Sequence, residues 1–252
     1  MTVDYPAAEM VPGLRALWKE AFGDSELFLD AFFAHGFSPC RCRCITENGA
    51  VLAALYWFEV TCGESRLAYL YAVATAASRR GQGLFTALLA DTKEVLRESG
   101  YDGILLVPEN EALSRMYEKF GFVPCTAVDT FAAAAGADAV GVREIGPREF
   151  ARLRREFLPQ GAVLQEEECL AFLASQYHFW AGSDFLAVGQ IYDDKLVCQE
   201  FLGNRLVAAD LLRALEAPEG TFRAPGKERP FGWFLSLNPG CARPEYFALA
   251  LD

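Results

Sequence analysis

Histidine is scarce in this sequence: there are two, His35 and His178, far apart along the chain. Ser–His or Cys–His catalysis therefore has little to build on, because both need an imidazole beside the nucleophile. Basic charge is also short, with 23 Lys and Arg against 34 Asp and Glu and a formal net charge of −11. Nucleic acid and acidic membrane surfaces bind largely through clustered Lys and Arg, so both are disfavoured as partners. A cationic or neutral substrate fits better. No stretch reaches the roughly 18 to 20 apolar residues that cross a bilayer. The opening MTVDYPAAEMVPGL lacks the basic and apolar regions of a secretion signal. The expectation is a soluble cytoplasmic protein, a monomer or homodimer, with no nucleic-acid and no membrane partner.

The eight cysteines lack the C-x2-C knuckle and second ligand pair that zinc sites use. Three of them stand at Cys40, Cys42 and Cys44, and at that spacing an extended segment puts all three thiols on one face. Reduced thiols lining a strand are expected, with no disulfide and no metal.

What is present is a core-forming chain: 252 residues, 52% hydrophobic and 23% charged, enough for one large domain or two small ones. Helical spacing runs through residues 10–22, and Ser25 caps a second helix carrying Leu27, Phe28, Ala31 and Phe32. Residues 41–47 and 50–61 are strand-like about Asn48-Gly49, a hairpin signal, and 66–75 is a third, mostly apolar run. A helix over 83–99 ends at Gly100, residues 103–107 form a strand, and Asn110 caps a helix that Gly121 stops. Phe122–Phe131 forms a further strand. The tract AAAAGADAVG at 132–141 marks the domain boundary. Beyond it, helices are expected at 147–157, 166–176 and 205–216, and a hairpin over 184–192 and 195–202. Strands near 221–224, 231–237 and 245–251 finish the chain.

The stretch SRRGQGLFTALL, residues 78–89, places two arginines and two glycines ahead of an apolar helix. A helix start offers backbone N–H donors without intrahelical acceptors and the positive end of the macrodipole. Glycines at 81 and 83 remove side chains that would hold an anion away, and Arg79 or Arg80 adds charge-assisted contacts. A loop whose glycines only turn the chain is the plainer alternative. It is neither a P-loop nor a dinucleotide fingerprint, so neither ATP nor NAD is indicated.

Arg80-Gly81-Gln82-Gly83-Leu84-Phe85 resembles the coenzyme-binding motif Q/R-x-x-G-x-G/A of the GNAT superfamily of acyl-CoA-dependent N-acetyltransferases, with Phe85 in place of the last small residue. Asn110, Tyr117 and Gly121-Phe122 resemble the family's N-x6-Y-x3-G-F segment. The resemblance implies a mixed α/β GNAT fold. It extends to a tandem bacterial protein with an acetyltransferase domain at 1–137 and a degenerate GNAT-like copy at 138–252. The implied cosubstrate is acetyl-CoA, with Val73, Ala74 and Thr75 pairing with the pantetheine arm. Arg80, Gly81, Gln82, Gly83, Leu84, Phe85 and Thr86 would cradle the pyrophosphate. Asn110 would contact the coenzyme and Tyr117 would protonate the departing thiolate, against the plainer roles of a helix cap and a core aromatic.

The implied reaction is direct attack of an amine, of a small molecule or a peptide, on the thioester. Making the neutral amine from an alkylammonium at pH 7 costs about 4 to 5 kcal/mol. Glu59 is the first candidate base and Glu109 the second, though each also fits an ordinary surface carboxylate. Amides near Val73–Thr75 are expected to hold the developing oxyanion. Residues Tyr246–Asp252 would either reach the amine pocket or form a closing edge strand. A coenzyme-binding sensor without turnover, and aminoacyl transfer to a cell-wall precursor, are the competing readings.

Overall fold

Five strands in the order β1-β2-β3-β4-β5 make the sheet of the first of two units, which comprises the chain through Leu106 together with Ser236–Cys241. The structure is a computed structural model and describes residues 2–250. The elements are β1 (Thr2–Asp4), α1 (Val11–Phe22), α2 (Glu26–Ala31), β2 (Cys42–Glu47), β3 (Ala50–Cys62), β4 (Ser65–Thr75), α3 (Leu84–Glu98) and β5 (Gly103–Leu106). All neighbours are antiparallel except β4 and β5, which run parallel with α3 as the crossover.

Local chemistry explains these boundaries. Gly23, at φ 76°, ends α1, and the Ser25 hydroxyl accepts the Phe28 N–H at 3.2 Å to start α2. Asn48 and Gly49 both take positive φ, 51° and 81°, which gives the β2–β3 hairpin the twist its strands need. α2 runs into a π-helical turn over Phe32–Gly36, and a 3-10 turn at Pro39–Arg41 precedes β2. Cys40 therefore lies in that turn and is exposed, while Cys42 and Cys44 are buried on β2. The expected single face of three thiols is thus reduced to two. Between those two, Arg43 points to the opposite face, where its guanidinium meets Asp91 of α3 at 2.8 Å.

The second unit runs from Val107 to Leu235 and resumes at Ala242. It contains α4 (Glu111–Glu118), β6 (Val123–Pro124), β7 (Ala127–Ala134), β8 (Arg143–Glu144), α5 (Pro147–Phe157), β9 (Leu164–Gln165) and α6 (Glu167–Gln176). β10 (His178–Ala181), β11 (Phe185–Tyr192), β12 (Lys195–Gly203), α7 (Ala208–Ala214), β13 (Glu219–Pro225), β14 (Arg229–Pro230) and β15 (Trp233–Ser236) follow. A seven-stranded sheet has the order β14-β7-β13-β12-β11-β10-β8. Within it only β12 and β13 are parallel, and α7 lies between them in the chain. The strand–helix–strand crossover of the first unit thus recurs in the second. Its core is aromatic, with Phe131 stacked on Phe222 at 5.1 Å and Phe185 on Phe201 at 5.7 Å.

Several expectations change here. The first three residues of the alanine tract are strand: Ala132–Ala134 belong to β7 and pair with Glu219–Thr221 of β13. The helix expected at 205–216 is a 3-10 turn followed by the shorter α7. No strand forms over 245–250. Tyr246–Ala250 are fully buried, joined by one parallel bridge between Ala162 and Tyr246, and Leu251 and Asp252 lie outside the described residues. A buried ion pair holds this segment. Arg154 on α5 grips Glu200 on β12 at 2.6 and 2.9 Å, and the Tyr246 hydroxyl donates to the same carboxylate at 3.0 Å.

Candidate active site

β4 is where the sheet departs from regularity. Its register against β3 passes from Ala54↔Ala74 to Tyr56↔Tyr71, so Ala72 and Val73 together oppose the single residue Leu55. This two-against-one count is a β-bulge, and Ala72 takes φ 49° to accommodate it. On the other edge, the parallel pairing with β5 runs from Leu67↔Gly103 to Tyr69↔Leu105, and β4 continues to Thr75 beyond it. The stretch from Leu70 to Thr75 therefore extends past its partner strand, with the bulge at its centre. Val73, Ala74 and Thr75 lie there.

The chain then turns through a 3-10 segment, Ala77–Arg79, into the glycine loop. Gly81 and Gly83 adopt φ 75° and 79°, and a Cβ built on either meets nothing within 4 Å. The glycines are needed for backbone conformation, and the space beside them is open. Gly83 is the N-cap of α3 and offers no side chain of its own. The first i to i−4 bond of α3 is Ala87 N–H to Gly83 O at 3.0 Å, so the helix ladder itself supplies no acceptor for the amides of its first turn. Arg80 is exposed, and its Nε donates to Thr75 O at 3.2 Å. Arg79 is committed to Glu47. Gln82 returns to Ser78 O at 3.3 Å, and Glu20 of α1 accepts the Ala77 N–H at 2.8 Å. Leu84 is buried, Phe85 is half-buried and Thr86 is exposed. Open αL glycines, the start of a 15-residue helix and one exposed guanidinium suit a phosphate-bearing ligand.

Glu59 belongs elsewhere. It pairs with Ala68, five residues short of Val73 along β4. Its carboxylate accepts Arg66 Nη2 at 2.6 Å and Tyr101 OH at 3.0 Å, while the Arg66 guanidinium lies 4.0 Å from the Tyr101 ring centroid. The Arg66 hydrogen bond, aided by Tyr101, holds the carboxyl below its usual range despite partial burial. A general base needs the opposite shift and a free lone pair directed at substrate. Both contacts fall on Oε2, and through it Glu59 ties the β3–β4 hairpin to Tyr101.

In the second unit, α4 displays the other motif. Asn110 Oδ1 caps the helix by accepting the Leu113 N–H at 3.0 Å. At its far end Gly121 takes φ 91°, Gly121 N–H reaches Glu118 O at 3.0 Å and Phe122 N–H reaches Tyr117 O at 3.3 Å. That is a Schellman termination, completed by the edge-on contact of Tyr117 and Phe122 rings at 5.6 Å. The N-x6-Y-x3-G-F spacing is thus the start and stop of one helix. Tyr117 is buried, and burial pushes its phenol up to about 12, so it is protonated at neutral pH. Glu109 immediately precedes the cap and is exposed.

Sequence reasoning missed the bulge at Ala72 and the aromatic side chains beside it, Tyr56 and Tyr71. The available signal was slight: alternation through Leu67, Tyr69 and Tyr71 lapses into Ala-Val-Ala at 72–74. Among the described residues, no group of three or more His, Cys, Asp or Glu could hold a metal ion, and no helix is long and apolar enough to cross a membrane.

The mixed sheet that carries this bulged strand, glycine turn and helix start recurs in known proteins. Residues 2–125 match the family model described as "Acetyltransferase (GNAT) domain". This part of the chain belongs to the GNAT acetyltransferase family. Solved structures share the fold across most of the chain. A GCN5-related N-acetyltransferase from Kribbella flavida is similar at 16% identity and TM-score 0.68, over 92% of this chain and 70% of that one. Eis1 from Mycobacterium abscessus is similar at 12% identity and TM-score 0.69, over 94% and 74%. For a putative acetyltransferase from Pyrococcus horikoshii the values are 12%, 0.66, 98% and 92%. Among curated proteins none matches the chain in sequence.

Proposed function

We propose that the protein transfers an acetyl group from acetyl-CoA to a primary amine of a small molecule or peptide. The observation that carries this reading is the continuity of the bulged end of β4 with the αL glycine loop at the start of α3. In this reading the amides of the loop and Arg80 hold the pyrophosphate, and the main chain at Val73–Thr75 pairs with the pantetheine arm. The same strand's N–H groups receive the thioester carbonyl oxygen as charge develops on it. Acetyl-CoA supplies the activated acyl group; the chain supplies orientation and a dry setting.

Tyr117 has the general-acid role. With its phenol near 12 and an ordinary thiol near 8.5, complete proton transfer to a thiolate is uphill by about 4 to 5 kcal/mol. Tyr117 therefore hydrogen-bonds to the leaving sulfur first and gives up its proton only as the proton shed by the amine replaces it, so that thiol and phenol both end protonated. Asn110 supports the reading as the cap that fixes where α4 begins. The second sheet, with its β12–α7–β13 crossover and Leu202-Gly203-Asn204 where the first has Arg-Arg-Gly-Gln-Gly, reads as a degenerate second copy.

The test is acetyl-CoA turnover, read as free thiol, against polyamines, aminoglycosides, amino acids, arylalkylamines and peptides. Release of thiol that depends on one amine class supports the proposal. Tight acetyl-CoA binding with no turnover on any amine would leave a coenzyme-binding sensor instead.

A further inference from the structure

Glu20 stands where a carboxylate is locally unfavourable. It lies in the last turn of α1, and the negative end of the helix dipole opposes a carboxylate there by about 0.3 to 1 kcal/mol. A side chain that breaks a local rule commonly answers a demand from elsewhere. Here the demand comes from the 3-10 turn Ala77–Arg79, between β4 and the glycine loop. Its N-cap, Ala76, makes no side-chain cap, so the first N–H of the turn, that of Ala77, depends on an acceptor from outside it. Glu20 Oε1 accepts that N–H at 2.8 Å, from 57 residues away in the chain. α1 is a firm support for the bond. Leu14, Leu17 and Trp18 are buried along it, and a Cβ on Gly13 would stand 2.9 Å from Val51 Cγ2 of β3. Gly13 and Glu20 are about two turns apart, so both lie on one face of the helix.

We propose that Glu20 is a positioning residue for the coenzyme: through the Ala77 N–H it fixes the turn that joins the bulged end of β4 to the glycine loop. This rests on the acetyltransferase reading and adds to it a residue that acts through the main chain. The two stretches assigned to the coenzyme, Val73–Thr75 and the loop from Arg80, lie before and after this turn, so its geometry sets their spacing. The turn's own bonds are Arg79 N–H on Ala76 O at 2.9 Å and the longer Arg80 N–H on Ala77 O at 3.4 Å. Glu47 of the β2–β3 hairpin holds the Arg79 side chain, whereas Glu20 holds the backbone itself. A loop kept in its binding shape loses less freedom when the ligand arrives, and affinity rises accordingly. The charge of Glu20 works the other way, since a carboxylate repels phosphate. Its contribution to coenzyme affinity therefore comes through the hydrogen bond.

The experiment is calorimetric titration of coenzyme A into wild type, Glu20→Ala, Glu20→Gln, Ala77→Pro and the double variant Glu20→Ala with Ala77→Pro, with a thermal melt of each protein alone. Glutamine keeps an oxygen acceptor without the charge. Proline removes the Ala77 donor at the first position of the turn, and Ala76, at ψ 132°, is already outside the helical region that a following proline disfavours. The expected result is a fivefold or greater loss of affinity in Glu20→Ala and an affinity within twofold of wild type in Glu20→Gln. Adding Glu20→Ala to Ala77→Pro should change affinity less than twofold, because the bond is already gone. Glu20 and Ala77 are both exposed, so the melts should agree within a few degrees. Equal affinity in Glu20→Ala and Glu20→Gln overturns the proposal, as does a loss from Glu20→Ala that is as large in Ala77→Pro as in wild type. If Ala77→Pro fails to fold, the contrast between alanine and glutamine decides. In each of these outcomes wild type binds coenzyme A and the acetyltransferase reading stands; a wild type that binds no coenzyme A sinks that reading and this proposal together.

Discussion

Arg80 Nε donates to the main-chain oxygen of Thr75 at 3.2 Å, so the glycine loop is tied back to the last residue of β4. Strand end and helix start are thereby held as one piece, and Arg80 keeps its remaining donors toward solvent. Arg80→Ala removes both the tether and the charge. Affinity for coenzyme A, measured by calorimetry, should fall about tenfold, which corresponds to about 1.4 kcal/mol. Arg79→Ala should do less, because its guanidinium is spent on Glu47.

Gly83 takes φ 79° with open space where a Cβ would be. Gly83→Ala therefore meets no clash and pays for the left-handed backbone, about 1 to 2 kcal/mol of stability. Gly83→Asp adds a negative charge at the proposed phosphate seat. Its coenzyme affinity should drop by tenfold or more relative to Gly83→Ala, while the two variants melt within a few degrees of each other. Unchanged affinity in Gly83→Asp would show that the phosphates bind elsewhere.

Tyr117→Phe keeps the ring contact to Phe122 and the helix stop, both of which depend on ring and backbone alone. It should lower kcat by 10-fold or more with little change in coenzyme affinity. The folded phenol lies near 12, above its unfolded value near 10, so its contribution to stability is complete below pH 10 and is lost as pH rises toward 12. Between pH 6 and 9 the kcat profiles of wild type and Tyr117→Phe should differ in height and not in shape. A basic limb in that range that vanishes in the variant would assign Tyr117 a much lower pKa than burial implies.

How much of this is legible in the residues depends on whether the signal is local. Ser25, Asn110, Gly100 and Gly121 mark helix ends because caps act within one turn, and all four do so in the structure. Asn48-Gly49 marks a hairpin for the same reason. The bulge at Ala72 is a matter of register against β3, which periodicity in one strand does not encode. β7 follows Phe122 closely along the chain, and only its pairing with β13 shows which sheet it joins. Glu59 is different: Gly63 turns the chain at the hairpin, and that turn places Arg66 diagonally across from Glu59, a neighbourhood legible in the residues themselves.

Glu59→Gln should behave as a stability change. The Arg66 pair is partly exposed, so the loss at pH 7 is about 1 kcal/mol or less. The carboxyl is held below its unfolded value, so its contribution is present above about pH 4.3 and fades as pH falls through the lower folded value. Urea denaturation at pH 7 and at pH 3 should show wild type and variant converging at the lower pH. With a productive amine, kcat/KM should stay within about threefold of wild type from pH 6 to 9. Loss of the acidic limb of that profile in Glu59→Gln would restore the carboxylate as the base.

The Arg154–Glu200 pair sets the strongest stability expectation. Both side chains are about 1% exposed, and the guanidinium also reaches Val163 O and Gln165 Oε1 at 3.4 Å. Replacing one partner leaves a buried charge without its counterion, and such losses run about 3 to 5 kcal/mol. Glu200→Gln should therefore destabilise the protein by roughly that amount in urea. Arg154→Met with Glu200→Leu removes both charges and should recover much of the loss, although the Tyr246 hydroxyl then lacks its acceptor. The adjoining segment supplies a local readout. Tyr246–Ala250 are buried and held by Val163 N–H on Tyr246 O at 2.9 Å, so amide exchange at Val163 should speed up in Glu200→Gln ahead of exchange in β11 and β12. Uniform acceleration across the unit would mean that the pair supports global stability and does not act as a clamp on the C-terminal segment.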